Sequence, residues 1–239
     1  NLLRGYIGTI ISVAFIAFTV GYFYTQVIAD ENMFGLFLLG VVFLSASTDG
    51  FLILLSAFRK RHNLGDTTFD PNKMSVLIAC FNGQHVIEET VRQVLTKVPK
   101  EQVFVVSDAS TDNTESVVRK LGVNLIVNDI NKNKALSISH SAHHIKTPYT
   151  LILDDDTHIE KTHIPTSLLD DGYSAVAFEV MPEPSDTLVN KFQQFEYRKS
   201  MVFGKELRSS AGAIGNVSGA IGLFKTEDLV AQAKRHSGQ

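Results

Sequence analysis

The sequence predicts an α/β domain on a mostly parallel sheet with helices on both faces, preceded by two transmembrane helices. Three observations carry that expectation. From residue 74 onward, short apolar runs alternate with amphipathic ones, the pattern of parallel strands buried on both faces. The apolar runs stop at polar residues, most sharply where one ends in Asp154, Asp155 and Asp156. The first sixty residues or so hold two long stretches almost free of charge.

Residues 6–29 contain no charged side chain and would span roughly 36 Å as a helix, enough for a bilayer core. Residues 33–58 form the second apolar run, interrupted by Ser45-Ala-Ser-Thr-Asp-Gly50. Asp30 and Glu31 separate the runs and Arg59-Lys60-Arg61-His62 follows them, so the positive-inside rule puts everything after Arg59 in the cytoplasm, with the plasma membrane as the expected location. Asp49, a carboxylate within the second run, reads as the mark of a bend near the interface or as the partner of another helix. Residues 64–73, with Gly65 and Pro71, form a linker.

Residues 74–80 are the first buried strand. Phe81, Asn82 and Gly83 turn the chain into a helix over 84–97, with Val86, Ile87, Val91, Val94 and Leu95 inward. A second strand over 102–106 ends at Ser107 and Asp108. Asp112 and Glu115 have the spacing of a capping box for a helix that stops at Gly122. A third strand covers 123–127, a helix 133–145, a fourth strand 149–153 and a fifth 174–180.

The 239 residues carry a net charge of -3, which argues against a nucleic-acid surface. The single cysteine, Cys80, excludes an intramolecular disulfide and fits a reducing compartment. The chain begins without Met and its last residues form no evident ending, so a fragment is expected, with residues 74–239 a C-terminally incomplete catalytic domain.

Three carboxylates at the tip of an apolar strand repel one another, so packing alone does not explain them. Strand alternation sends Asp154 and Asp156 to one side and Asp155 to the other. A pair so spaced suits a hard divalent cation, Mg²⁺ or Mn²⁺, that keeps waters and takes further ligands from substrate phosphates; a solvated acidic turn is the bland alternative. Because ligands of open α/β sheets bind beyond the carboxyl ends of the strands, Asn82, Asp108 and Asp156 can converge on one crevice. Asp108-x-Ser110-x-Asp112 begins like an EF-hand loop, but Asn113 and Arg119 stand where Gly and Glu are needed. Neither a P-loop nor a dinucleotide fingerprint is present. Asp154-x-Asp156 also resembles the haloacid dehalogenase motif, although His158 replaces its Thr or Val. That leaves a metal-dependent phosphatase as a rival.

Ser75-Val-Leu-Ile-Ala-Cys-Phe-Asn82, Val106-Ser-Asp-Ala-Ser-Thr-Asp-Asn-Thr114, Asn133-Lys-Ala-Leu136 and Leu153-Asp-Asp-Asp-Thr157 follow one another in the order seen in family-2 glycosyltransferases of the GT-A fold, with Gln194-Phe-Glu-Tyr197 and Ser218-Gly-Ala220 after them. With two preceding apolar segments, the chain is most similar to membrane-embedded processive synthases of the cellulose, hyaluronan and chitin type. The resemblance implies an inverting transfer from a UDP-sugar to a glycan acceptor, in polysaccharide synthesis beside the lipid bilayer. It implies a nucleoside pocket lined by Ala79, Cys80, Phe81 and Asn82, with Asp108 on the uracil or ribose. Lys134 would approach the diphosphate, Asp154 and Asp155 would lie along the nucleotide sugar, and Asp156, with Asp154, would hold the cation. Ser218 and Gly219 would sit near a sugar.

Two departures stand out. Ala79 replaces a usual Pro and Asn133 a frequent Gly, so those loops differ in shape. The family's later base motif and Gln-x-x-Arg-Trp motif are absent, and the chain has no Trp. Thr226-Glu-Asp228 mimics the base motif but follows Ser218-Gly219 too closely, so the general base is expected beyond Gln239, with Asp228 the candidate inside the chain. A relative that holds nucleotide without turnover is the alternative. His140 and His144 lie one helical turn apart, two ligands where zinc needs three or four, and read as a solvated face. Cys80 reads as a small core residue, and Glu196 as an acceptor contact or a partner for Arg198 or Lys199.

Overall fold

Met74–Cys80 form the first strand, β1, and every residue of it except Ala79 is buried, as expected of a nearly continuous apolar run at a sheet centre. The computed structural model describes residues 67–159, 162–201 and 216–236 continuously, with single helical residues at 17, 21, 35, 38, 40–43 and 205. The two expected membrane segments, with Asp49, otherwise lie outside the described residues. Among the described residues no helix is long and apolar enough to cross a membrane. The chain divides into two compact units, Asn1–Arg61 with Val202–Ala213, and His62–Met201 with Ile214–Gln239.

The second unit holds a six-stranded sheet. Its strands are β1, β2 (Val103–Asp108), β3 (Asn124–Asn128), β4 (Tyr149–Asp154), β5 (Ala175–Ala177) and β6 (Ile221–Lys225), in the spatial order β3-β2-β1-β4-β6-β5. The first four pair in parallel, with Ala79 beside both Val106 and Asp154. β6 runs antiparallel to β4 and β5, so Ile221 stands beside Leu153 and Lys225 beside Tyr149.

Among the described residues of this unit the helices are α1 (Ile87–Leu95), α2 (Thr114–Leu121), α3 (Lys134–Ser141), α4 (Ser167–Asp170), α5 (Leu188–Lys199) and α6 (Thr226–His236). Strand alternation separates two cores. Val76, Ile78, Val105, Leu151 and Leu153 meet Ile87, Val91 and Val94 of α1 and Val118 of α2. Leu77, Val106 and Ile152 meet Ile138 of α3, Ile145 and Leu229 of α6. Helices therefore cover both faces.

Several expectations need correction. The helix expected over 84–97 is the shorter α1, and Val86 is exposed because residues 84–86 are still turning. Asp112 and Glu115 do not form a reciprocal capping box. Asp112 instead accepts from the N–H of Thr114 (3.0 Å) and its hydroxyl (2.5 Å), while Glu115 accepts from the Ser107 hydroxyl. Gly122 does end α2, at φ 70°. The strand expected over 174–180 is three residues long. The antiparallel β6 went unforeseen, because Ile-Gly-Leu-Phe-Lys is too short to show alternation and Gly222 interrupts it.

Candidate active site

The four parallel strands end on the same side of the sheet, where antiparallel β6 begins. At that edge the N–H of Asp154 donates to the carbonyl of Ala220 (2.9 Å), and the N–H of Thr157 to the carbonyl of Asp154 (3.3 Å), closing a four-residue turn over 154–157. Alternation along β4 carries the Asp154 side chain to the α3 face. There its Oδ1 pairs with Lys134 Nζ, which also donates to the carbonyl of Gly219 (2.6 Å). One ammonium thus joins three segments named in the sequence: the first turn of α3, the tip of β4 and the loop before β6. Lys134 is placed there by Asn133, the N-cap of α3, whose side chain accepts from the N–H of Leu136. Asp156 is exposed and makes no hydrogen bond or ion pair among the described residues.

Asp108, at the end of β2, is 5 % exposed. Its Oδ1 accepts from the Ser137 hydroxyl (2.6 Å), the Asn128 amide (2.9 Å) and the Lys132 N–H (3.0 Å). Burial alone would raise its pKa, but these donors, Ser137 foremost, outweigh it and hold the carboxyl below the usual range. Asp108 therefore braces the stretch from Asn128 to α3 that delivers Lys134. Ser137 and Asn128 carried no signal in the sequence, being an ordinary helix residue and an ordinary strand end.

The loops after β1 and β2 are stitched together. Asn82 Oδ1 accepts from the N–H of Thr111 (2.8 Å), and its N–H donates to Ser110 Oγ (3.1 Å). The N–H of Gln84 donates to Asp112 and its side-chain oxygen accepts from the N–H of Asn113. Asn82, Ala109 and Asn133 have φ of 55°, 61° and 64°, and all three border this edge. Left-handed backbone at non-glycine residues costs energy and is held only by such surrounding bonds.

The side chains of Cys80 and Asp155 meet on the side of the sheet away from Lys134, as the alternation read from the sequence expects for Asp155. Strand alternation puts both on the opposite, α1 side. The buried Cys80 thiol donates to Asp155 Oδ2 (3.0 Å) and the Thr90 hydroxyl to the Asp155 carbonyl (2.6 Å). Burial, then the Asp155 hydrogen bond and charge, push the thiol far above its usual range, so it is a neutral donor. Burial also raises Asp155; the Cys80 bond opposes that, and the charges of Asp156 and Asp154 reinforce it.

Ala79 is half-buried beside Asp154 in the ladder, Phe81 is 52 % exposed, Ser218 is half-buried and Gly219 exposed. Asp228 is not among this group. It lies in the first turn of α6, which follows β6, and antiparallel pairing sets that end beside Tyr149, at the other end of β4. A cavity of about 510 Å³ lies at this opposite end too, lined by Lys146, Pro148, Tyr149, Asp170, Lys225 and Glu227 among others.

Among the described residues no three His, Cys, Asp or Glu side chains converge as a metal cage. At the tip of β4, the exposed Asp156 carboxylate and Oδ2 of Asp154 have no hydrogen bond among the described residues, whereas Oδ1 of Asp154 is taken by Lys134. Two carboxylates fit a hard divalent cation that completes its shell with water and phosphate oxygens, and do not fit a zinc site, which needs three or four protein ligands.

The sequence model described as glycosyl transferase family 2 matches residues 75–229, well over half the chain. The chain belongs to glycosyl transferase family 2. This glycosyltransferase is 26 % identical over 166 residues to a poly-beta-1,6-N-acetyl-D-glucosamine synthase of Staphylococcus epidermidis, and 28 % identical over 166 residues to that of Staphylococcus aureus strain COL. Those matches cover 65 % and 66 % of this chain but 40 % of each synthase, so the chain spans about two-fifths of the curated relatives it matches. Among solved structures it resembles a mannosyltransferase of Pyrobaculum calidifontis, in complex with GDP-Man and Mn²⁺ (TM-score 0.55, 21 % identity, covering 80 % of this chain and 56 % of that one). That likeness shows a GT-A-like fold, a mixed six-stranded sheet flanked by helices. Family membership also displaces the phosphatase reading of Asp154-x-Asp156.

Proposed function

We propose that this glycosyltransferase is an inverting enzyme that moves a sugar from a UDP-sugar to a glycan acceptor at the cytoplasmic face of the plasma membrane, in polysaccharide synthesis. The observation that carries the reading is the meeting of Lys134, Asp154 and the Gly219 carbonyl at the carboxyl end of the parallel strands, next in the chain to the exposed Asp156, which has no partner among the described residues. In an inverting transfer a base takes the acceptor hydroxyl proton as that oxygen attacks the anomeric carbon. The bond from that carbon to the diphosphate oxygen breaks, and UDP leaves with the electron pair.

Mg²⁺ or Mn²⁺ held by Asp156 and Asp154 would supply Lewis-acid neutralisation of the departing diphosphate. Lys134 contributes a fixed positive charge beside the same carboxylates, already oriented by two bonds. Asp108, Asn128 and Ser137 keep that lysine in place, and the Asn82–Thr111 stitch shapes the adjoining nucleoside side of the crevice. The absence of a side chain at Gly219 leaves room for a sugar. The likeness to the polymerising staphylococcal synthases and the two apolar segments of residues 6–58 support the membrane and polysaccharide parts of the reading.

A second reading, a relative that holds nucleotide without turnover, is favoured by one observation: Asp228, the base candidate within the sequence, lies at the wrong end of the sheet. Titrating the full chain with UDP, with and without Mn²⁺, tests the shared part. Binding is expected to require Mn²⁺ and to be lost in Asp156→Ala, and UDP affinity indifferent to both would reject the site. Release of UDP from a UDP-sugar on adding acceptor then separates the two readings: turnover removes the second, and its absence removes the first.

A further inference from the structure

The middle carboxylate of the Asp154-Asp155-Asp156 run is the one the proposed chemistry leaves unused, and its surroundings are the most closely fitted at this edge. Asp155 is held at two points from behind. Its side chain accepts from Cys80 at the end of β1, and its carbonyl accepts from Thr90 in α1. Gly83 completes the fit. A Cβ there would overlap Asp155 Oδ2 and lie 2.5 Å from Cys80 Sγ, so the thiol and the carboxylate occupy the space a side chain would fill. On the crevice side the same turn is held by Lys134 on Asp154 and by the Ala220 carbonyl on the Asp154 N–H. Within the turn, only the Asp156 side chain is left without a bond among the described residues.

We propose that Cys80 and Asp155 are positioning residues, a thiol–carboxylate strut behind the sheet edge that fixes the 154–157 turn so that Asp156 presents its carboxylate to a metal-bound nucleoside diphosphate. The proposal rests on the function proposed above. Its physical basis is that a short turn with one side chain in solvent has several orientations open to it. Bolting the neighbouring residue by both side chain and carbonyl removes most of them before the ligand arrives. A thiol suits this place because a buried, uncharged donor fits between packed strands, where a cationic donor would bring a desolvation cost.

The chain has a single cysteine, so its infrared S–H stretch reads the contact with no ligand present. In the wild type the band is expected at the low frequency of a hydrogen-bonded thiol, moving up in Asp155→Ala. An unchanged band overturns the strut whatever the nucleotide does. The second measurement is the Mn²⁺ concentration that gives half-maximal UDP binding. Cys80→Ala and Asp155→Ala are each expected to raise it about tenfold, the scale of lost outer-shell support at a metal site, while Cys80→Ser, which keeps a donor, stays near wild type.

Gly122→Ala, a strained cap on α2 distant from the turn, serves as the comparison for plain destabilisation. It is expected to lower the melting temperature without moving the Mn²⁺ midpoint. If Cys80→Ala and Asp155→Ala also lower only the melting temperature, the positioning role is overturned and a structural one replaces it. Wild-type UDP binding that ignores both Mn²⁺ and Asp156→Ala would be the distinct failure of the function proposed above, and the strut would lose its purpose with it.

Discussion

Asp108 shows how one buried carboxylate can organise the loop and helix that carry Lys134. Three donors converge on one of its oxygens, and removing the charge leaves the Ser137 hydroxyl, the Asn128 amide and the Lys132 N–H poorly satisfied. Asp108→Asn is therefore expected to cost about 2 kcal/mol in urea unfolding at neutral pH, the scale of hydrogen bonds to an ionised group. The sign of the pH dependence follows from the depressed pKa. The carboxylate contributes its stability above the ordinary aspartate value of about 3.9, and loses it as pH falls through the lower folded-state value. The gap between wild type and Asp108→Asn should thus close on acidification below about pH 4; a constant gap would mean the charge is not the stabilising feature. Ala109, next in sequence, sits at φ 61°, where a Cβ is crowded. Ala109→Gly is expected to raise stability by about 1 kcal/mol, read as a shift of the urea midpoint at constant slope.

At the scale of elements, β4 carries the carboxylate turn and owes its fixed position to burial between two layers of helices. Leu151 and Leu153 are fully buried on the α1 face and Ile152 nearly so on the α3 face. Leu151→Ala removes a side chain from the middle of the first core and is expected to cost about 3 kcal/mol, measured by urea unfolding. The central strands were legible because buried parallel strands leave nearly continuous apolar runs. Met74–Cys80 matches its expected bounds, and β4 differs only by including Asp154. What stayed hidden depends on tertiary contact. β6 is five residues with a glycine, and its pairing with β4 is set by a partner some seventy residues away. The link between Cys80 and Asp155 is equally non-local. Alternation foretold that Asp155 would turn away from Asp154, but not that a thiol in β1 and a missing side chain at Gly83 would receive it.

Across the whole molecule, the direction of β6 decides which carboxylates can act together. A strand added in parallel would have brought its following residues to the crevice. The antiparallel one brings the preceding residues, Ser218 to Ala220, there and sends Thr226-Glu-Asp228 to the far end beside Tyr149. The far end has its own business: Asp170 accepts from the Tyr149 hydroxyl (2.5 Å) and pairs with Lys73 (3.0 Å), beside the cavity lined by Lys225 and Glu227. Five residues of β-strand separate the two ends, on the order of 15 Å, too far for Asp228 to reach a donor sugar held at the Asp154–Lys134 rim. The acidic residues there have a local use, since Glu227 and Asp228 fall in the first turn of α6, where negative charge opposes the helix dipole. Asp228→Ala is therefore expected to lose a few tenths of a kcal/mol of stability at most, and to bind UDP in Mn²⁺ with wild-type affinity. Asp156→Ala should do the reverse, keeping its melting temperature while losing the metal-dependent binding. The two variants run side by side in one UDP titration check the direction of β6 as a functional fact: weakened binding in Asp228→Ala, or none lost in Asp156→Ala, would place the nucleotide at the other end of the sheet.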